Sequence, residues 1–393
     1  MQGTYVSRQA ESVIGQLLQE FPVIALLGPR QSGKSTLVQH FIEGRKDCVY
    51  LDLELPSDQR KLSDPELYFK MHQDELICMD EIQRFPGIFE IMRSRIDQNH
   101  RNGQFIILGS ASRDLIKQSS ETLAGRIAYI ELSPFQFNEL FDENANNKDV
   151  LQQLWLRGGF PRSYLAMGEA ESFRWREQFV RTFLERDIPQ LGIQIPALTM
   201  RRLWQMCTHY QGQMINASKI GQSLGYSHVS IRRQLDVLEQ TFMIRLVPPF
   251  EANVKKRLVK TPKIYLRDTG ILHALLDIET QEQLFGHPVF GASWEGLAIE
   301  SILNTIPNWQ YGFYRTSAGA ELDLIIQRGG KSFGFEFKAS SNPQVNRGFW
   351  NAIDDLNLEH VWIVAPVNES YPIKENVTIT SLGGLLTRLS SMN

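Results

Sequence analysis

The chain has 393 residues, 42% hydrophobic and 22% charged, with a formal net charge of −3 and three cysteines. That length exceeds one ordinary core, so roughly two to four domains are expected. The slight acidity excludes a uniformly basic nucleic-acid binder but leaves room for a local basic face, and the wide separation of Cys48, Cys78 and Cys207 argues against a disulfide framework or a zinc site.

No stretch approaches the roughly 18 to 20 uninterrupted apolar residues of a membrane span, and the opening MQGTYVSRQAESV lacks a signal-peptide apolar core, so a cytoplasmic protein without membrane contact is expected. Residues 1–20 read as a helix with Val13, Leu17 and Leu18 on one side. A buried-type strand, Val23 to Leu27, follows, and then Gly28 to Ser35 satisfies G-x-x-x-x-G-K-[ST] before a helical run from Ser35 to Phe41. Strand, motif and helix coincide as a phosphate-binding loop requires. Gly28 and Gly33 let backbone N–H groups wrap a phosphate at a helix N-terminus. The expected ATP loop therefore runs through Gly28, Pro29, Arg30, Gln31, Ser32, Gly33, Lys34, Ser35 and Thr36, with Lys34 on the β/γ phosphates and the Ser35 hydroxyl on Mg2+. The alternative is a Gly-rich turn that binds nothing.

The strand Leu76 to Met79 leads into Asp80 and Glu81. Asp80 is expected to hold Mg2+ through water, and Glu81 to orient and activate the attacking water. Around these, strands at Cys48–Leu53, Phe105–Leu108 and Ile127–Leu132 alternate with helices starting at Asp64 and spanning Gly87–Asp97, which implies an α/β fold: a parallel sheet with helices on both faces. Ser110 and Ser112 end a strand at the edge where ligands sit in open sheets; Ser110 is either a sensor of the γ-phosphate or a plain turn serine. Arg113 and Arg126 are candidates to stabilise transition-state charge, in cis or across a subunit boundary, the alternative being surface arginines.

The polar run Asp142 to Lys148 closes this first domain, expected at 1–140. A helical connector is expected at 141–199, containing Gly158-Gly159-Phe160-Pro161 and core aromatics Phe173, Phe179 and Phe183. From 200 to 270 the rhythm changes: helices Arg201–Tyr210, Ser218–Leu224 and Ser230–Thr241 precede strands Phe242–Val247 and Lys263–Leu266. Leu235 and Leu238 give the third helix a core face, while Ser227, His228, Ser230, Arg232, Arg233 and Gln234 gather at its N-terminal end, as a winged helix-turn-helix places its groove-reading residues. The loop between the strands carries Lys255, Lys256, Arg257 and Lys260. DNA is the expected partner, by a salt-sensitive contact; protein docking is the alternative for such a module.

The last segment, 271–393, holds a second constellation. Leu322, Leu324 and Ile326 alternate with polar residues, as do Phe333, Phe335 and Phe337, giving two strands with one apolar face each. A two-residue turn at Gly329-Gly330 would set Ile326 opposite Phe333 and Asp323 opposite Glu336. Paired carboxylates repel unless a divalent cation bridges them. Lys338 shares the face of Glu336, and Glu295, on a helix from Trp294 to Leu303 with Trp294, Leu297, Ala298 and Ile302 inward, is a further candidate metal ligand. This D…E-x-K hairpin resembles the metal-dependent nuclease core named for its PD-(D/E)-x-K pattern, with Leu322 standing where that pattern has proline. The alternative is a solvated face with a Glu-Lys pair.

Taken whole, the chain resembles the AAA+ ATPases that carry a C-terminal DUF4143 region. The marks are Leu27-Gly28-Pro29-Arg30-Gln31-Ser32-Gly33-Lys34-Ser35-Thr36, of which G-P-R-Q is the most specific, then Met79-Asp80-Glu81-Ile82-Gln83, Leu108-Gly109-Ser110, Ala124-Gly125-Arg126, Gly158-Gly159-Phe160-Pro161, Glu185-Arg186-Asp187-Ile188 and the tail from Trp294-Glu295 to Lys338. The resemblance implies an ASCE-type P-loop ATPase using ATP and Mg2+, a winged helix and a restriction-endonuclease-like end, and it makes a homo-oligomer plausible by analogy. Two expectations follow. In one, nucleotide state controls a nuclease whose Asp323, Glu336 and Lys338 cleave DNA with metal assistance. In the other, the C-terminal half only docks a protein partner.

Overall fold

The computed structural model describes residues 5–85, 87–109, 119–141, 147–193, 195–251 and 258–392. They form two compact units, Met1–Phe135 with Gln240–Phe242, and Gln136–Glu239 with Met243–Asn393. Among the described residues no helix is long and apolar enough to cross a membrane.

The first unit is built on a five-stranded sheet of β1 (Val23–Leu27), β2 (Cys48–Asp52), β3 (Leu76–Asp80), β4 (Phe105–Gly109) and β5 (Ile127–Glu131), in the order β2-β3-β4-β1-β5. Every pairing is parallel. All five residues of β1 are buried because both faces are covered, which is why the strand reads as a continuous apolar run. Val23, Ala25 and Leu27 join Phe69, Ile88, Phe89, Met92 and Ile96 on one face. Ile24 and Leu26 join Ile14, Leu37 and Val38 on the other. The first helix runs from Ala10 to Glu20 and turns Ile14 inward, while Val13 is 43% exposed. The expected inward stripe was therefore one residue out of phase at Val13.

In the second unit, Gly158, at φ 73°, separates the helices Asn147–Arg157 and Pro161–Tyr164. A Cβ at Gly158 would lie 2.1 Å from Asp268 Oδ1, and Asp268 Oδ2 accepts the Gly159 N–H at 2.8 Å. The Gly-Gly pair is thus fixed by the close approach of a buried carboxylate. Phe173, Phe179 and Phe183 are buried, as their helical spacing predicts, and Phe183 packs against Trp204.

Three helices, Ala197–His209, Ala217–Leu224 and His228–Gln240, accompany a small antiparallel sheet of β6 (Gln213–Met214), β7 (Ile244–Val247) and β8 (Lys263–Leu266), with β8 in the middle. The remaining sheet contains β9 (Gln310–Arg315), β10 (Glu321–Arg328), β11 (Lys331–Phe337), β12 (His360–Val364), β13 (Tyr371–Lys374) and β14 (Val377–Thr380), ordered β13-β14-β12-β11-β10-β9. It is mixed: β9, β10 and β11 are antiparallel, and β11, β12 and β14 are parallel.

The hairpin register is the expected one. Gly329 and Gly330 have φ of 58° and 81°, and Ile326 pairs with Phe333. The face assignment differs at one place. Between Leu322 and Ile325 the β9 register slips, and an extra residue of that kind reverses the alternation of a strand. Leu322 consequently shares a core cluster with Ile325, Tyr314 and Phe349 rather than with Leu324 and Ile326, which stand opposite Phe335 and Phe333.

Candidate functional site

The loop after β1 closes onto the helix Lys34–Ile42, whose N-cap is Gly33 at φ 95°. A Cβ on Gly28 would come 2.3 Å from the Leu132 carbonyl oxygen, so only glycine fits there. Lys34 is buried and folds back on the loop, its Nζ donating to Gly28 O at 3.0 Å and Pro29 O at 2.8 Å. Burial draws its pKa down to about 8, against the opposing pull of the Glu81 and Asp80 carboxylates. The Ser32 hydroxyl is fully buried and has no hydrogen-bond partner among the described residues. A buried ammonium, an orphaned hydroxyl and a helix N-terminus make a donor set suited to a polyphosphate.

Asp80 ends β3 level with Asp52 of β2. Its Oδ2 accepts from Ser35 Oγ at 2.5 Å and from the Tyr50 phenol at 2.6 Å, and its Oδ1 accepts the Glu81 N–H at 2.8 Å. Ser35 and Asp80 are hard oxygen donors in direct contact, which fits Mg2+ bound by few protein oxygens together with substrate phosphates. Glu81 sits in the left-handed region at φ 53°. Burial holds its carboxyl above the usual range, only partly offset by the charge of Arg30, and the Gln83 amide donates to it. Beneath the loop, Arg8 is buried; its guanidinium donates to Ser32 O at 3.1 Å and Ser133 O at 2.7 Å and lies 5.0 Å from the Phe135 ring centroid.

Arg126 is brought to a different place. It precedes β5, where its carbonyl accepts the Val23 N–H at the start of β1, and its side chain pairs with Asp97 at 2.8 Å. The loop leaves the other end of β1, a strand length of about 16 Å away. The in cis role expected of Arg126 is therefore corrected: it does not reach its own chain's loop. Ser110, Ser112 and Arg113 lie outside the described residues.

The second constellation also assembles, with an unforeseen member. Lys263 of β8 is 3% exposed, and its Nζ lies 3.1 Å from Asp323, 3.2 Å from Glu321 and 3.5 Å from Glu295. Asp323 Oδ2 accepts the Phe337 N–H at 3.2 Å. Glu336 is taken by Lys338 at 2.6 Å, and Glu295 accepts from the Tyr265 phenol. Burial and then the Asp323 charge raise the pKa of both Glu295 and Glu336. Burial alone would lower Lys263, yet Asp323, Glu295, Tyr265 and Glu321 hold it well above its ordinary value. Among the described residues no group of three or more His, Cys, Asp or Glu side chains is placed to hold a metal ion. As arranged, the residues at Asp323, Glu336 and Glu295 do not fit a divalent cation.

Sequence profiles match three stretches: one described as "AAA domain" over residues 20–141, and two described as domains of unknown function, DUF8612 over 148–282 and DUF4143 over 290–385. "Uncharacterized protein Rv2008c" of Mycobacterium tuberculosis is 39% identical over 381 residues, spanning 97% of this chain and 84% of that protein, and "Uncharacterized protein Mb2031c" of Mycobacterium bovis matches to the same extent. The chain belongs to the AAA-domain P-loop ATPases with a C-terminal DUF4143 region. Among solved structures, the Walker-type ATPase PABY2304 of Pyrococcus abyssi is 15% identical with a TM-score of 0.47, covering 70% of this chain and 97% of its own. The STAND protein PH0952 of Pyrococcus horikoshii, with a tetratricopeptide repeat sensor, is 9% identical with a TM-score of 0.30, covering 78% and 46%.

Within the DUF8612 stretch of this AAA-domain ATPase, Tyr226, Ser227, His228, Val229, Arg232 and Arg233 are exposed at the start of the helix His228–Gln240. Ser227 Oγ accepts the Ser230 N–H at 3.2 Å. Gln234 is not part of that surface: it is 3% exposed, and its amide donates to Ser230 Oγ at 3.3 Å. Lys260 is exposed, while Lys255, Lys256 and Arg257 lie outside the described residues. Reading the sequence assigned no role to Tyr50, Arg8, Gln83, Lys263, Tyr265 or Glu321. The available signal was Lys263, a lysine opening the otherwise apolar strand run Ile264-Tyr265-Leu266.

Proposed function

We propose that this AAA-domain ATPase hydrolyses ATP at the Gly28–Thr36 loop, binds DNA through the helix His228–Gln240, and uses nucleotide state to control that engagement. The observation that carries the first half is the contact of Ser35 with Asp80 beside the half-buried Glu81. Lys34 exchanges the loop carbonyls for phosphate oxygens. Ser35 and Asp80 would hold Mg2+, which would supply neutralising charge to the phosphates when bound. Glu81 orients a water and takes its proton at a carboxylate oxygen, a role suited to a carboxyl whose proton affinity is already raised. Arg126 would serve only across a subunit boundary, in a homo-oligomer.

Three helices with the antiparallel β6-β8-β7 sheet support the winged-helix reading. The exposed arginines and hydroxyls at the head of the third helix are the types that contact phosphates and base edges. In the DUF4143 stretch, the helix Phe290–Thr305, the β9-β10-β11 meander, the helix Arg347–Asp355 and the parallel β12 support an endonuclease-like architecture. A second reading gives that region only a protein-docking role. Lys263 among the acids favours it over metal-dependent cleavage by Asp323, Glu336 and Lys338.

The test is direct. Glu81→Gln should lower ATP turnover by at least about 100-fold while fluorescent nucleotide still binds. Turnover at the unaltered rate would refute the assignment. Separately, Arg232→Ala with Arg233→Ala should weaken a DNA mobility shift and flatten its salt dependence; a protein with no salt-dependent shift at all would leave protein docking as the role of this half.

A further inference from the structure

The acidic cluster of the C-terminal sheet poses a problem of charge. Glu295 comes from the helix Phe290–Thr305, Asp323 and Glu321 from β10, and Glu336 from β11. Glu295, Asp323 and Glu336 are largely buried, Glu295 being 16% exposed in its side chain, Asp323 12% and Glu336 8%. Carboxylates crowded out of water need a cation close by. Two sources are available: a metal from solution, or a basic side chain of the chain itself.

The second is already present. Lys263 projects from β8, the middle strand of the small sheet, so its backbone has a strand on each side, in register with Met214 of β6 and Val247 of β7. Its ammonium lies within 3.5 Å of carboxylates from Asp323, Glu321 and Glu295. An ammonium has three N–H donors and no acceptor, which matches three surrounding acids. The ring of Phe313, its centroid 5.5 Å from Nζ, covers a further side with a π face that favours a cation. Each of the three buried carboxylates that a metal would use also has a donor besides Lys263 or in its place. Asp323 accepts the Phe337 N–H, Tyr265 donates to Glu295, and Lys338 holds Glu336. A divalent ion within ligand distance of the same oxygens, about 2.0 to 2.6 Å, would sit against the ammonium and be repelled by it.

We infer that Lys263 is the resident cation of this site, occupying in place of a divalent metal the position between Asp323 and Glu295. Two isolated bridges, Pro249 with Phe313 and Leu258 with Thr316, hold the segment between β7 and β8 against β9. They tie the segment leading into β8 to the edge of the sheet that carries the acids. The D…E-x-K hairpin is then an internally neutralised junction between the small sheet and the large one. This inference stands apart from the nucleotide and DNA assignments, and it holds or fails without them.

Mn2+ binding to nucleotide-free full-length protein, counted by electron paramagnetic resonance, tests it. Wild type and Asp323→Asn should bind the same number of ions, since any Mn2+ at Ser35 and Asp80 contributes equally to both. Loss of one ion in Asp323→Asn would overturn the proposal, and so would Mn2+-dependent DNA cleavage by wild type that Asp323→Asn abolishes. Lys263→Met, which keeps the stem and removes the charge, should gain one Mn2+ that is lost again in Lys263→Met with Asp323→Asn, and Mn2+ should raise its melting temperature. A folded Lys263→Met protein that gains no ion would show that lysine and metal do not compete for one position. Should Lys263→Met not fold, the comparison of wild type with Asp323→Asn decides alone.

Discussion

Tyr50 of β2 and Asp80 of β3 are joined through a 2.6 Å hydrogen bond to the carboxylate oxygen that Ser35 also uses. Tyr50 pairs with Cys78 in the parallel register, two residues before Asp80 on β3, so its ring reaches along the sheet toward the loop. Partners behind a metal-binding carboxylate fix its orientation, and removing one typically costs 10- to 100-fold in metal affinity or activity. Tyr50→Phe removes the hydroxyl and keeps the ring. It should raise the Mg2+ concentration for half-maximal ATP turnover by about 10-fold with little change in melting temperature. An unchanged Mg2+ titration would show that Ser35 and the Glu81 N–H suffice to orient Asp80.

Arg8 supports the same loop from below. Its guanidinium satisfies the carbonyls of Ser32 and Ser133 at once, two segments that nothing local in the sequence connects. Arg8→Ala would leave two carbonyl oxygens short of a charged donor, worth about 2 to 3 kcal/mol in all. The expected outcome is a lower melting temperature and a raised KM for ATP, with kcat less affected. Arg8→Lys, able to reach one carbonyl but not both, should fall between. A KM unmoved in a destabilised Arg8→Ala protein would limit Arg8 to a role in folding.

These two residues show where the sequence was readable. The loop and the Asp80-Glu81 pair were legible because each is contiguous: a short run of residues encodes the strand end, the turn and the chemistry together. The hairpin register, with Ile326 opposite Phe333, was legible because a two-residue Gly-Gly turn fixes it. What escaped is what the topology imports from a distance. Tyr50 reaches Asp80 from a neighbouring strand, Arg8 reaches Ser133 across the first unit, and Lys263 enters the acids from another sheet. The slip at Asp323 also escaped, since a bulge leaves no periodic trace in so short a strand. Glycines in GGFP were legible as a motif, but not as clearance for Asp268.

That clearance makes Gly158 a sharp test of the connector. Alanine there would meet Asp268 Oδ1 at 2.1 Å and would also have to hold φ at 73°. The carboxylate cannot move aside cheaply, because it accepts the Gly159 and Ile271 N–H groups, at 2.8 and 2.9 Å. Gly158→Ala should therefore destabilise the second unit by on the order of 3 kcal/mol or more, read as a fall in its urea midpoint. Gly168→Ala, at a glycine with open space around its Cβ position, should change the midpoint far less. Equal effects at the two sites would mean that the Asp268 contact does not constrain the turn.

The buried His273 gives the second unit a pH dependence whose sign can be worked out. Its Nδ1 lies 3.0 Å from Leu156 O and its Nε2 lies 2.8 Å from Ser293 Oγ, which also accepts from Trp155 Nε1 at 2.9 Å. One neutral tautomer satisfies the whole chain: Trp155 donates to Ser293, Ser293 donates to His273 Nε2, and Nδ1–H donates to Leu156. Complete burial pushes the imidazole pKa down from 6.5 to about 3. Between those values the unfolded chain binds a proton that the folded chain refuses, so stability is full above pH 6.5 and falls as pH drops toward 3. The slope from this one group approaches about 1.4 kcal/mol per pH unit. Asp268, raised by burial to about 6, acts in the opposite sense below that pH because the folded state then holds the extra proton. The two are separated by comparing wild type with His273→Gln, in which the Asp268 contribution is common to both. Urea unfolding at pH 7.5, 6 and 5 should show wild type losing more stability on acidification than His273→Gln does. Parallel curves for the two proteins would mean that His273 is not held neutral in the folded state.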